Sequence, residues 1–159
     1  YLTYKAESLG YHPAVVSSGR KVNDEMAVFV ASKLIKLMIQ KGIRIKDSNI
    51  LILGITFKEN CPDIRNTKVF DIVKNLREYN FDIDIVDPWV DKDSVKKRYN
   101  LQISDNLIKD KKYTAVITSV AHKQFLSITL NEWRNLVQEK GILFDLKGLI
   151  PRELEALRI

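Results

Sequence analysis

An apolar strand pattern that alternates with helical patterns is the feature that most constrains this chain. Residues 49–55 form a continuous run of leucine and β-branched residues, which is typical of a strand buried on both faces of a parallel sheet. Helical periodicity follows over residues 66–79, and a second strand pattern covers 81–86. The alternation continues with helices at 93–99 and 130–139 and strands at 113–120 and 141–146. Repeated β-α units of this kind predict an α/β fold with a doubly wound, mostly parallel sheet.

A long, largely apolar helix is predicted ahead of this alternating region. No further proline occurs between Pro13 and Lys41, and Gly42 is a typical stop signal. The apolar residues at helical spacing are Met26, Phe29, Val30, Leu34, Leu37 and Met38, with Val28, Ala31, Ile35 and Ile39 between them. A helix that is apolar nearly all round must be buried on several sides, by a core or by a partner chain. Residues 3–9 predict a further short helix, ended by Gly10 and a turn at 11–13.

The composition is that of a globular protein, with 45% hydrophobic and 29% charged residues in a chain of 159. The net charge of +6 raises the question of nucleic-acid binding, but the 26 basic residues are spread along the chain among 20 acidic ones. That distribution is typical of solvated helix faces, so we expect no nucleic-acid partner. No apolar run approaches the roughly 20 residues of a membrane span, so we expect no membrane partner either.

Cysteine and histidine are too sparse to predict a metal site. The chain has one cysteine, Cys61, and two histidines that are far from it and from each other, so no disulfide is expected. A lone cysteine fits a reducing, cytoplasmic setting. Cys61 is also a candidate nucleophile, because Lys58, Arg65 and a helix start lie near it in sequence and cations favour the thiolate. The alternative is a small packing residue.

The loop after the first strand, from Gly54 to Arg65, is a candidate anion site. Lys58 follows the glycine by four residues, and Arg65 precedes the predicted helix by one. The unpaired N–H groups of a helix start favour an anion, and a guanidinium beside them offers a bidentate grip on phosphate. The alternative is that Lys58 pairs with Glu59 or Asp63, and Arg65 with Asp63, on the surface.

Three polar residues follow the other strands, where ligands of an open α/β sheet collect. Asp87 follows the second strand, either as a ribose-binding acid or, with Pro88, as a turn residue. His122 lies just past the third strand, as a ligand donor or as a structural histidine. Lys147, after the fourth strand, either meets phosphate or forms an ion pair with Asp145.

Several segments together resemble one enzyme family. "LGITFKENCPDIRNTKVFDIV" is similar to the loop that opens the C-terminal domain of the UDP-sugar and GDP-sugar 6-dehydrogenases. Further blocks of that family appear in the same order: "YLTYKAESLGYHP", "GRKVNDEM", "VDPWVD", "VAHKQF" and "FDLKGLIPRE". Their combination covers nearly the whole chain and most resembles the branch that oxidises UDP-N-acetylhexosamines for capsule or O-antigen precursors.

The resemblance implies a particular portion of a larger enzyme. Members have an N-terminal NAD-binding Rossmann domain, a central dimerisation helix and a C-terminal Rossmann-like domain that holds the UDP-sugar. It implies that residues 1–42 are the end of the central helix region and that residues 43–159 are the UDP-sugar domain. The family's catalytic cysteine and NAD fingerprint are expected upstream of Tyr1, so this chain is expected to hold no catalytic residue and to be inactive alone.

The resemblance also implies roles for individual residues. Phe57 and Lys58 match positions that contact the UDP-sugar, and Arg65 matches an arginine that reaches the NAD cofactor. Lys147 stands where many members have a substrate-binding arginine, which is a departure because lysine offers a point charge instead of a planar fork. Arg20 and Asn23 fall in a recurrent block of the central helix and are assigned to structure first.

The implied reaction is oxidation of the sugar's C6 hydroxyl to the uronate by two successive hydride transfers to NAD, through a thiohemiacetal and a thioester on the upstream cysteine. The implied assembly is a homodimer formed through the central helix. A free-standing α/β nucleotide-binding or interaction module is the alternative from a different functional class. Sequence leaves open which UDP-sugar is used.

Overall fold

A computed structural model describes the backbone of residues 14–159 and the side chains from residue 25 onward. The predicted helix at 3–9, the turn at 11–13 and the proposed roles of Arg20 and Asn23 lie outside the described residues.

Five parallel strands form the centre of the fold. The elements are α1 (Ala14–Gln40), β1 (Asn49–Leu53), α2 (Val69–Arg77), β2 (Asp82–Val86), α3 (Lys92–Tyr99), β3 (Tyr113–Thr118), a short 3-10 helix (Lys123–Ser127), α4 (Leu130–Leu136), β4 (Val137–Asp145) and β5 (Leu157–Arg158). The strand order is β2-β1-β3-β4-β5, and every pairing is parallel. The predicted α/β fold with a parallel sheet is confirmed.

Two hydrophobic cores cover the two faces of the sheet. Successive residues of β1 point alternately into the two cores: Ile50 and Ile52 belong to one core, and Leu51 and Leu53 to the other. The first core also takes in buried residues of α1, α2 and α3, and the second takes in Phe125, Trp133 and Leu136. This period of two is what a strand buried on both faces requires, because successive side chains point to opposite sides.

Helix α1 packs one side against the sheet domain. Its buried residues are Ala27, Val30, Ala31, Leu34, Ile35 and Met38, and all belong to the first core. On its other side, the side chains of Val28, Phe29 and Ile39 are exposed by 54%, 49% and 63%. In the described part, the helix is therefore buried on one side and keeps an apolar surface on the other. No helix of the described residues is both long and apolar enough to cross a membrane.

The loop after β1 is longer than the sequence pattern predicts. The strand ends at Leu53 and not at residue 55, because Gly54 has a positive φ of 88° and turns the chain away from the sheet. Helix α2 begins at Val69 and not at residue 66, because Asn66 has a left-handed φ of 61° that interrupts a helix. Residues 54–68 therefore form a loop at the carboxyl end of β1.

The C-terminal third differs most from the prediction. Helix α4 ends at Leu136, and β4 starts directly at Val137. Val137 pairs with Tyr113 of β3, but the register then shifts, and regular pairing resumes at Ile142. Neither β5 nor the 3-10 helix has a recognisable periodicity, because each is very short. β5 adds an edge strand that brings the last residues beside β4.

Gly54 lies where two loops approach each other closely. A Cβ built on it would lie 2.9 Å from both the Cγ2 and the backbone nitrogen of Val120, and closer still to the Val120 Cβ. Backbone atoms cannot move aside without shifting β3. Both the positive φ and the close approach therefore require glycine here.

We expect Gly54→Ala to lower the free energy of unfolding by at least about 2 kcal/mol, since it adds a left-handed backbone penalty to overpacking. Gly42→Ala is the matched control, because Gly42 also has a positive φ, of 67°, but a Cβ added there would have no heavy atom within 4 Å. It should lose only about 1 kcal/mol. Urea denaturation of both variants measures the difference, and equal losses would contradict the packing argument.

Candidate functional site

The carboxylate of Asp87 organises the loops at the carboxyl end of β1 and β2. Its Oδ2 accepts hydrogen bonds from the backbone N–H groups of Ile55, at 2.7 Å, and Thr56, at 3.2 Å. Its Oδ1 accepts from those of Trp89, at 2.8 Å, and Val90, at 3.1 Å. The side chain is fully buried. Asp87 therefore fixes backbone and does not offer its carboxylate to a ribose.

His122 completes this buried network from the end of β3. Its Nδ1 accepts a hydrogen bond from the backbone N–H of Asn60 at 3.0 Å, so this nitrogen carries no proton. The proton of the neutral ring is then on Nε2, which lies 3.0 Å from Asp87 Oδ2 and 3.1 Å from Thr56 Oγ1. The Asn60 side chain in turn accepts from the backbone N–H of Lys123. His122 is a structural histidine that joins two loops.

The surroundings of Asp87 stabilise its charged form. Burial alone raises the pKa of this carboxyl, but hydrogen bonds from His122, Ile55 and Trp89 outweigh burial and bring the pKa below its usual value. A carboxylate that accepts several N–H bonds is stabilised in this way even when it is shielded from water. The network is therefore strongest when Asp87 is ionised.

Asp145 plays the corresponding part at the end of β4. It accepts hydrogen bonds from the Thr118 hydroxyl at 2.6 Å and from the backbone N–H groups of Leu149 and Ile150, each at 3.0 Å. Its ion-pair partner is Arg158, at 3.5 Å, and not Lys147. Burial raises the pKa of Asp145, but these hydrogen bonds outweigh it and lower the pKa overall. The side chain of Lys147 is left exposed.

A cleft of about 480 Å³ opens between these two fixed loops. Its polar lining comes from Thr56, Thr67, Lys68, Ser119 and Lys147. Its apolar lining comes from Met26, Phe29, Phe57, Val69, Ile72, Leu146 and Ile159. Helix α2 starts at Val69 in this lining, so the positive end of its dipole lies beside Lys68 and Lys147. The N–H of Val69 is bonded to Thr67 Oγ1, and Lys68 is paired with Asp71. A cationic cleft with apolar walls is suited to a ligand that combines anionic groups with a flat or apolar part.

The residues predicted from sequence to bind a ligand fall into two groups. Phe57 and Lys147 line the cleft. Lys58 is exposed next to Phe57 but is not among the described residues that line the cleft. Arg65 grips Asp63 through two side-chain hydrogen bonds of 3.0 and 2.9 Å, which lower the pKa of Asp63 to about 2. The surface pair considered for Arg65 therefore exists, although the side chain of Arg65 stays 77% exposed.

Cys61 gains no support as a nucleophile. The side chain is half-buried, and both ring nitrogens of His122 are occupied by other partners. His12 lies outside the described residues. In residues 25–159, no three His, Cys, Asp or Glu side chains are placed together to hold a metal ion.

Sequence reasoning missed several cleft residues. Ser119 could have been found, since it is a polar residue directly after a fully buried strand. Met26 and Phe29 could not, because they come from α1, whose position over the sheet is set by tertiary packing.

We expect Asp87→Asn to lower the free energy of unfolding by about 3 kcal/mol at pH 7, because the amide nitrogen would face backbone N–H donors that have no other acceptor. A pKa that is lower in the folded state means that ionised Asp87 stabilises the fold above its unfolded pKa, near 3.8, and loses this effect as the pH falls through the folded value. The difference between wild type and variant should therefore shrink below about pH 4.

Urea denaturation between pH 7 and pH 3 measures this dependence. Asp63→Asn is the control, because its ion pair with Arg65 is exposed and should contribute little to stability. A deficit of the Asp87 variant that stays constant with pH would contradict the account.

The chain is similar in sequence to a family of known enzymes. Residues 51–152 match the sequence profile of the UDP-glucose/GDP-mannose dehydrogenase family, UDP binding domain. A UDP-N-acetyl-D-glucosamine 6-dehydrogenase of Salmonella typhi is 44% identical over all 159 residues, and one of Pseudomonas aeruginosa is 40% identical over the same span. The chain covers 37% of the length of each of these relatives.

Solved structures agree on the fold. The crystal structure of an NDP-N-acetyl-D-galactosaminuronic acid dehydrogenase from Methanosarcina mazei superposes with a TM-score of 0.77 at 20% identity, covering 88% of this chain and 29% of the other. The family profile covers most of the parallel sheet and the loops that form the cleft. The chain therefore belongs to the UDP-glucose/GDP-mannose dehydrogenase family, and its matched region is the UDP binding domain of that family.

Proposed function

We propose that the cleft between the Asp87 and Asp145 loops holds the UDP-sugar substrate of a nucleotide-sugar 6-dehydrogenase. The observation that carries this proposal is the meeting of Phe57, Lys147 and the start of α2 in one cleft at the carboxyl ends of the strands. A nucleoside diphosphate has a flat apolar base and an anionic diphosphate, and this lining offers a partner for each.

The proposed roles follow from chemistry and exposure. Phe57 supplies an aromatic surface for the base or ribose, since 56% of it is exposed at the cleft. Lys147 and the N–H groups at the start of α2 neutralise the diphosphate. Lys58, exposed on the same loop, meets the outer part of the ligand. No described residue of this chain is assigned a catalytic role.

The proposed substrate is a UDP-N-acetylhexosamine, and the support is the name of the two relatives at 44% and 40% identity. The proposed reaction converts the C6 hydroxyl to a carboxylate. This conversion removes two hydrides from C6 in succession and adds one oxygen atom from water. NAD, when bound, accepts these hydrides. The chain's own residues bind and orient the sugar nucleotide, which contributes to rate by fixing the reacting carbon in place.

The remaining parts of the enzyme are proposed to lie in the portion of the relatives that this chain does not cover. These parts are the NAD-binding domain and the catalytic cysteine. Arg65 is the proposed contact to NAD, and its support is a guanidinium that stays open to solvent while Asp63 fixes its direction. The 159-residue chain alone should then reduce no NAD with any UDP-sugar. Turnover of the isolated chain would contradict this division.

The proposed assembly is a cytoplasmic homodimer formed through the helix of region 1–42, with residues 43–159 as the UDP-sugar domain. Its support is the exposed apolar surface of α1. Val28 and Ile39 are eleven residues apart, about three helical turns, and so lie on one side of the helix. A partner copy would bury them.

We expect the full-length protein to bind UDP, and Lys147→Ala to weaken that binding about tenfold, the usual effect of losing one charge-assisted hydrogen bond. Lys140→Ala is the matched control, because Lys140 is an exposed lysine nearer the other end of β4. Titration calorimetry measures both affinities. Equal affinity of the two variants would remove Lys147 from the site.

A DNA oligomer titrated at low and high salt tests the competing class of function. Binding to DNA that is tighter than binding to UDP, and that falls steeply with salt, would indicate a nucleic-acid module and not a UDP-sugar domain.

A further inference from the structure

The hydroxyl of Ser119 is a buried polar group with no partner in the part of the chain that the structure describes. Ser119 directly follows the last residue of β3, and its backbone N–H donates to the Leu53 carbonyl at 2.9 Å. The residue is 6% exposed. Among the described residues, its Oγ is the buried side-chain nitrogen or oxygen that makes no hydrogen bond. Such groups are rare in native proteins because an unpaired buried hydroxyl destabilises the folded state, so its presence needs an explanation.

Within the described residues nothing pairs with this hydroxyl, whereas the neighbouring threonine hydroxyls each make a hydrogen bond. Thr118 donates to Asp145, Thr56 donates to the carbonyl of Lys58, and Thr67 accepts from the backbone N–H of Val69. An alanine at position 119 would therefore lose no side-chain hydrogen bond of the described structure. The serine is therefore unexplained by the packing and hydrogen bonding of the domain.

Ser119 lines the same cleft as Lys147 and the start of α2. The hydroxyl is covered in its present rotamer, but a serine side chain has three staggered positions about its Cα–Cβ bond. Because Ser119 lines the cleft, ligand binding would use the rotamer that turns Oγ toward it. A ligand oxygen in the cleft would supply the acceptor that the described residues do not.

We propose that Ser119 is a ligand-binding residue whose hydroxyl donates a hydrogen bond to a phosphate oxygen of the nucleotide in the cleft. This inference rests on the proposed UDP-sugar site and adds to it a residue that neither lysine chemistry nor the helix start supplies. The phosphate is the chosen group because Ser119 shares the cleft with the cationic lining, where a diphosphate would lie.

The proposal predicts that Ser119→Ala weakens UDP binding without lowering the stability of the unliganded protein. In the full-length protein, Ser119→Ala should weaken UDP binding about tenfold, the usual effect of losing a hydrogen bond to a charged group. The same change should leave the melting temperature of the unliganded protein unchanged or raise it, because it removes an unpaired buried hydroxyl. Affinity for uridine, which has no phosphate, should not change.

Ser127→Ala is the matched control, because Ser127 is an exposed serine on the 3-10 helix whose hydroxyl donates to the Gln124 carbonyl. It should change neither UDP affinity nor uridine affinity. Titration calorimetry with UDP and uridine, together with thermal unfolding of the unliganded proteins, gives all the readouts.

The outcomes separate the two proposals. If the wild type binds UDP and Ser119→Ala binds it equally well, the Ser119 proposal is wrong while the UDP-sugar site stands. If Ser119→Ala lowers the melting temperature and weakens UDP and uridine alike, the serine is structural and the proposal is again wrong. If the wild type binds no UDP, the proposed function itself fails.

Discussion

The cleft depends on the hydrogen bonds between the Asp87 carboxylate and the backbone N–H groups of Ile55 and Thr56. In a glycine-rich phosphate loop, N–H groups at this position would point at the ligand. Here they are already bound by a buried acid, so the loop needs no glycines beyond Gly54 to approach a phosphate. Under the proposed function, the diphosphate would then be met by Lys147 and by the start of α2, which line the cleft.

The two buried acids hold the loops in place, whereas Lys147 remains exposed at the cleft. Asp87 and Asp145 each sit at the end of a strand and hold a loop by its backbone. Asp145 takes Arg158 as its ion-pair partner and does not pair with the Lys147 side chain. The cation stays exposed at the cleft, and His122 ties the Asn60 end of one loop to the same network.

The fold could be predicted from the sequence because its strands are long apolar runs with a strict alternation of helices between them. The element ends could not, since they depend on single left-handed residues such as Asn66 and on the close approach of Gly54 to Val120. Of the two predicted residues that line the cleft, Lys147 was singled out by its place after a strand, whereas Phe57 was implied only by the family resemblance. A turn role for Asp87 and a structural role for His122 were among the alternatives, but their partners in other loops were not predictable, because those partners lie 31 to 66 residues away in the chain.

A crystal structure of the full-length protein with UDP would test the account most directly. It should show the diphosphate against Lys147 and the start of α2, with Asp87 still bound to the N–H groups of Ile55 and Thr56. A diphosphate that takes those two N–H groups and displaces Asp87 would contradict the account. So would a nucleotide in the basic groove between α2 and α3, which is lined by Lys74, Arg77, Lys97 and Arg98.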